Sequence, residues 1–204
     1  MDERERGETA VVARRTEGQV DEILEAASQI LSAEGAAALT VRRIASEAGC
    51  STMGIYSRFG GKDGVVDALY VEGFQFLCSG MGELPRTDDP VDDLRRCELR
   101  YREIALAHAT HYMVMFGGAV PDFTPSPESK SLALEAFGRL VANVQRCVDA
   151  GAFTGRADEL AYTLWSAMHG QVMLEIVGIN PVGGDSDEHF RDLLDTVLAG
   201  LQAR

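Results

Sequence analysis

The stretch VRRIASEAGCSTMGIYSRFGGKD, residues 41–63, restricts the fold more than any other part of the chain. Val41, Ile44, Ala45 and Ala48 recur at helical intervals, and Gly49 then interrupts the period. Ser51 is placed to cap a second run carrying Ile55, Tyr56 and Phe59. Two short helices joined by a tight turn with a glycine form a helix-turn-helix. The second helix of that motif is shaped to enter the major groove of DNA.

The formal net charge of −13 speaks against nucleic acid, but its distribution does not. Residues 1–64 hold 8 Lys+Arg and 11 Asp+Glu, net −3, whereas the remainder holds 11 and 21, net −10. Between Leu39 and Lys62, the bases Arg42, Arg43, Arg58 and Lys62 face only Glu47, a local +3. DNA responds to charge within a Debye length of about 8–10 Å, so distant acids count for less. An acidic remainder also suppresses unspecific adhesion to DNA.

With 204 residues, 46% of them hydrophobic, the chain can bury a core, and no apolar run approaches the roughly 18 residues of a membrane span. The beginning, MDERERGETAVVARRTEG, has no signal-peptide apolar segment, so a cytoplasmic protein is expected. Cys50, Cys78, Cys97 and Cys147 lie far apart with no CxxC and read as reduced thiols.

Residues 1–17 are charged and aperiodic and read as a mobile arm, from which Arg14 and Arg15 could reach DNA. Val20, Ile23, Leu24, Ala27, Ile30 and Leu31 mark an amphipathic helix ending near Gly35, and Thr40 caps the next. From Lys62, a long helix carries Val66, Leu69, Tyr70, Gly73, Phe74, Leu77 and Met81 and stops before Pro85. Helical stripes follow through Leu94–His108, HYMVMF, Ala133–Val148, Asp158–Val177 and Phe190–Leu201. No useful β-alternation or internal repeat appears. The expectation is an all-α chain of about nine helices.

The order T-V-R-R-I-A-S-E-A-G-C-S-T-M-G-I-Y-S-R-F, then G-G-K-D opening a long helix, resembles the TetR family of bacterial transcriptional regulators over roughly residues 18–70. The I-A-x-x-A-G, I-Y-x-x-F and K-D pieces stand in order at the family's spacing. The C-terminal half resembles a subgroup marked by W-x-x-x-H-G, here Trp165, His169 and Gly170. Two departures are Gly60-Gly61, where a side-chain cap is usual, and Cys50, where a small aliphatic residue is usual. The resemblance implies an arm (1–17), a DNA-binding domain (18–62) and a ligand-binding and dimerisation domain (63–204).

At the DNA end, Thr40 opens a helix whose free N–H groups suit a phosphate, and at least one of Arg42 and Arg43 points outward. Ser51, Thr52, Met53 and Gly54 form the first turn of the recognition helix, the part that reaches base edges. Tyr56 and Lys62 resemble the family's phosphate contacts, while Ile55 and Phe59 belong to the core. Phosphate contacts set register; Thr52, Met53 and Arg43 are the candidates for sequence choice.

At the other end, the resemblance implies a homodimer joined through its last two helices and a cavity among the middle ones. The apolar segment Leu160–Val177 needs partners on two sides, and the Phe190–Leu201 stripe, with Leu193, Leu194 and Val197, is wider than one neighbour demands. Candidates to line the cavity are Tyr101, His108, Tyr112, Met113 and Phe116, then Phe123, Trp165, Met168, His169 and Met173. Aromatic and Met side chains suit an adaptable apolar pocket, though each also fits an ordinary core. His108 and His111 have no third ligand beside them, so no metal and no cofactor is expected. No GxSxG, phosphate loop or acid pair supports an enzyme. The expected function is a ligand-responsive repressor on a palindromic operator, released by a small, largely apolar or aromatic effector. An activator, or a helix-turn-helix interaction protein with no effector, stays open.

Overall fold

The computed structural model describes residues 3–202, with side chains from residue 18 onward. The side chains of the arm expected over residues 1–17, Arg14 and Arg15 among them, lie outside the described residues. Helix α1 spans Glu3–Glu34 and leads through a 3-10 turn, Ala36–Ala38, into α2 (Val41–Glu47) and α3 (Thr52–Phe59). Then come α4 (Lys62–Gly82), α5 (Pro90–Ala107), α6 (Ala109–Phe116), α7 (Pro127–Asp149), α8 (Ala157–Ile176) and α9 (Ser186–Gln202). The described residues thus form nine α-helices and no strand, as the periodicity implies.

The chain divides into two compact units, residues 1–72 with 110–126, and residues 73–109 with 127–204. In the first, α1 packs on α2 and α2 on α3. Ile23, Ala27, Ile30, Leu39, Ile44, Ile55, Val65, Val66 and Leu69 are sealed from solvent. Burying each Ile, Leu or Val among them stabilises by about 1.5–3 kcal/mol, enough to hold short helices that would not persist alone. The segment 110–126 joins this unit through specific ties. Glu72 Oε2 lies 2.8 Å from His111 Nε2, Asp67 Oδ1 accepts from the Ser126 N–H at 3.0 Å, and the Tyr70 and Phe123 rings meet at 6.1 Å.

In the second unit, α5 packs on α7, α8 and α9, and α8 on α7 and α9. Asp89 caps α5, accepting from the N–H groups of Val91 and Asp92 at 3.0 Å, with Pro90 preset at the first position. Ala157, Leu160, Ala161, Leu164, Met168 and Val172 bury the inner side of α8. On α9 the sealed stripe is Phe190, Leu194, Leu198 and Leu201, whereas Leu193 and Val197 stay half-buried. Leu194 is thus used within the chain itself, while Leu193 and Val197 are not fully covered by it. Arg102 ties this unit across three helices, donating to Glu175 Oε2 and Oε1 at 2.9 and 2.6 Å, pairing with Asp187, and lying over the Phe190 ring at 5.4 Å.

Candidate DNA-binding surface and effector region

The turn between α2 and α3 is made at Gly49, with φ at 61°, and the Cys50 N–H returns to the Ala45 carbonyl at 3.0 Å. Thr40 caps α2 by accepting from the Arg43 N–H at 3.2 Å, and Ser51 caps α3 by accepting from the Gly54 N–H at 3.1 Å. A hydroxyl that accepts a cap bond still has its proton to donate, so both roles of Thr40 can coexist. Ile55 is fully buried, which turns the opposite side of α3 outward. Thr52 is exposed, Met53 is 72% exposed and Tyr56 54%. Thr40, Arg42 and Ser51 are also exposed; Gly54, Arg43 and Lys62 are half-buried.

Two arginines are more engaged than the sequence implies. Arg43 donates to Glu47 Oε2 at 2.6 Å and to Glu34 Oε1 at 2.8 Å, and these hydrogen bonds to Glu47 and Glu34 raise its pKa further. Glu34 lies on α1, outside the span that reads as +3, so the net positive face is smaller than the count suggests. Arg58 donates to the Gly54 carbonyl at 3.0 Å and to Gln19 Oε1 at 2.6 Å. It fastens α3 to α1 and so aims the recognition helix.

The junction of α3 and α4 gives Gly60-Gly61 a second role beyond capping. Gly60 ends α3 in the left-handed region at φ 73°, its N–H bonded to the Tyr56 carbonyl at 2.9 Å, and Gly61 follows at φ 142°. Gly64 is the tightest point of the junction. A Cβ there would stand 1.7 Å from the Phe59 carbonyl oxygen. No local pattern reveals this, because a glycine in a first helical turn carries no signature of the strand of backbone beside it.

The ten candidate cavity residues fall into two sets. Tyr112, Met113, Phe116 and Phe123 belong to the first unit, where Tyr112 is sealed and its ring lies 4.9 Å from that of Phe116. Tyr101, His108, Trp165, Met168, His169 and Met173 belong to the second. There Tyr101 and Met168 are buried, and His108 stacks on Phe76 at 3.8 Å. Trp165 lies 5.3 Å from the His169 ring and 6.1 Å from that of Phe137, all three half-buried. Burial lowers the His169 pKa, which keeps its imidazole neutral at pH 7. Among the described residues no group of His, Cys, Asp and Glu could hold a metal ion, and no helix is long and apolar enough to cross a membrane. All four cysteines are free, and burial raises the thiol pKa of Cys97 to about 12 and of Cys147 to about 11.

A capped helix with an outward first turn, set on a glycine-tight junction, defines a helix-turn-helix DNA-binding regulator. The family described as bacterial regulatory proteins, tetR family, matches residues 23–69, and that of the tetracyclin repressor-like C-terminal domain matches residues 94–197. The chain belongs to the TetR family of transcriptional regulators. No curated protein sequence matches it. Among solved structures it is similar to a protein of unknown function from Rhodococcus sp. RHA1, with TM-score 0.78 and 23% identity over 90% of this chain and 95% of that one. The TetR regulator PfmR from Thermus thermophilus gives 0.71 and 22%, over 88% and 98%. The fatty acid degradation regulator FadR from Bacillus halodurans gives 0.69 and 18%, over 90% and 96%. Identities this low establish a shared fold.

Proposed function

We propose that the chain is a cytoplasmic, ligand-responsive repressor that binds a palindromic operator as a homodimer and is released by a small, largely apolar or aromatic effector. The observation that carries the DNA half is the outward side of α3, where Thr52 and Met53 in the first turn and Tyr56 in the next stand exposed over a sealed Ile55. Thr52 and Met53 read base edges; Thr40, Tyr56 and Lys62 hold phosphates; Arg42 adds charge. Arg43 joins them once its carboxylate partners release it. The effector half is supported by the half-buried ring group of Phe137, Trp165 and His169, which includes the W-x-x-x-H-G residues. Effector and DNA are linked through unequal affinity for two conformations, and tenfold release needs about 1.4 kcal/mol of difference.

Capture of genomic fragments at graded salt, followed by footprinting, tests the reading. The expected result is a palindrome with half-sites about 34 Å apart that maps near the start of a transcription unit. Uniform binding to every fragment, or none at low salt, overturns it.

A further inference from the structure

Glu98 is 3% exposed on the inner side of α5, with Leu94 one turn before it and Tyr101 and Arg102 one turn after, all buried. Among the described residues no hydrogen bond or ion pair reaches its carboxyl group. Every fully sealed side-chain oxygen or nitrogen of the described residues does have a partner. The unpartnered carboxyl group is therefore not sealed: it faces a space that a solvent-sized atom can enter. The arginines on α5 and the helices packed against it are committed to other carboxylates, and Lys130, near the start of α7, is exposed. Arg102 pairs with Glu175 and Asp187, Arg95 with Asp195, Arg146 with Asp93, and Arg139 with Glu135. His169 on α8 is kept neutral by burial. Cys97 beside it and Cys147 on α7 are un-ionised thiols.

A buried carboxyl group with no partner lowers stability and contributes nothing to packing that a Leu or Met would not supply better. We propose that Glu98 anchors an effector site in the second unit for an amphipathic organic cation, an apolar body bearing one protonated amine. This rests on the reading that the unit binds a small effector, and gives that effector its chemical class. Burial alone pushes Glu98 up to about 8, so the empty site holds a neutral carboxylic acid at pH 7. An ammonium group entering the low-dielectric space stabilises the carboxylate instead, and the proton leaves to solvent. The net charge of −10 over residues 65–204 draws cations toward this half of the chain.

Titration calorimetry of the full chain at pH 7 with decylammonium, decanol and decanoate, each below its micelle concentration and in two buffers of different ionisation enthalpy, decides the matter. Decylammonium is expected to bind with release of about 0.9 proton per chain, the protonated fraction of a group with pKa about 8. Glu98→Gln should weaken decylammonium at least tenfold and leave decanol within twofold. Heats independent of buffer, an equal loss for decanol, or no decylammonium binding at millimolar concentration overturns the assignment; the proton count needs no variant. Operator release, measured in parallel, separates the two readings. Release by decanol or decanoate alone sinks the cation and leaves the effector reading standing.

Discussion

Arg43 enters the DNA-free state bound to two carboxylates, which gives the positive face an adjustable strength. Glu34→Gln leaves Arg43 one competitor fewer. Affinity for all DNA sequences should rise about two- to fivefold, with a slightly steeper salt dependence in filter binding or anisotropy. Lys62→Ala should do the opposite, flattening the slope by about one phosphate contact, whereas Thr52→Ala should change preference among operator variants. A second residue-scale effect is acid sensitivity. Burial pushes Asp93 up, but the Thr87 N–H and hydroxyl and Arg146 outweigh it and hold the carboxyl at about 2. A depressed pKa stabilises the fold above the unfolded value near 3.8, and that stability is lost as pH falls from 4 toward 2. Asp93→Asn should cost about 1–2 kcal/mol at pH 7 and remove this component of acid unfolding in a circular dichroism titration. Thr40 and Ser51 were readable as caps because a cap is a local pattern. The Arg43–Glu34 pair and the burial of Glu98 were not, since a charged residue on a helix carries no mark of what a distant helix brings beside it.

At the scale of elements, the α3–α4 junction is where backbone, rather than side chains, sets the aim of the recognition helix. Gly64→Ala places a methyl group against the Phe59 carbonyl, which belongs to backbone and cannot swing away. The substitution should destabilise by about 1–3 kcal/mol and re-aim α3, so operator affinity should fall more than stability alone explains. Gly138→Ala on α7 is the control: nothing lies within 4 Å, the position is exposed, and helix propensity should stabilise by about 0.5–1 kcal/mol. Melting curves and operator titrations on both variants test the contrast; parallel losses would remove the special role of the junction. Helices were legible here because their 3.6-residue period is a short-range signal, as in α5, capped by Asp89 and opened by Pro90. Their grouping was less so. Residues 110–126 join the first unit through His111–Glu72 and Ser126–Asp67, pairs separated by 39 and 59 residues, so the candidate cavity residues are drawn from both units.

For the whole molecule, assembly turns on which side of α9 the chain uses for itself. Phe190, Leu194, Leu198 and Leu201 are spent on the internal core, so a charge at Leu194 tests folding and says little about partners. In the proposed homodimer, Leu193 and Val197, one turn apart and half-buried, would be the part of α9 open to a second copy, together with Tyr162 and Leu174, 60% and 43% exposed on α8. Leu194→Asp should lose helical signal and melt early, because an unpaired carboxylate in a sealed core costs several kcal/mol. Val197→Asp should keep its helicity and sediment as a monomer at micromolar concentration. Its operator affinity should then fall at least about 100-fold, since a second half-site bound within one dimer contributes an effective concentration that a free monomer lacks. A Val197→Asp protein that sediments as an unchanged dimer places the interface away from this side of α9. A folded monomer that still binds the operator at full strength breaks the tie between dimer and palindrome.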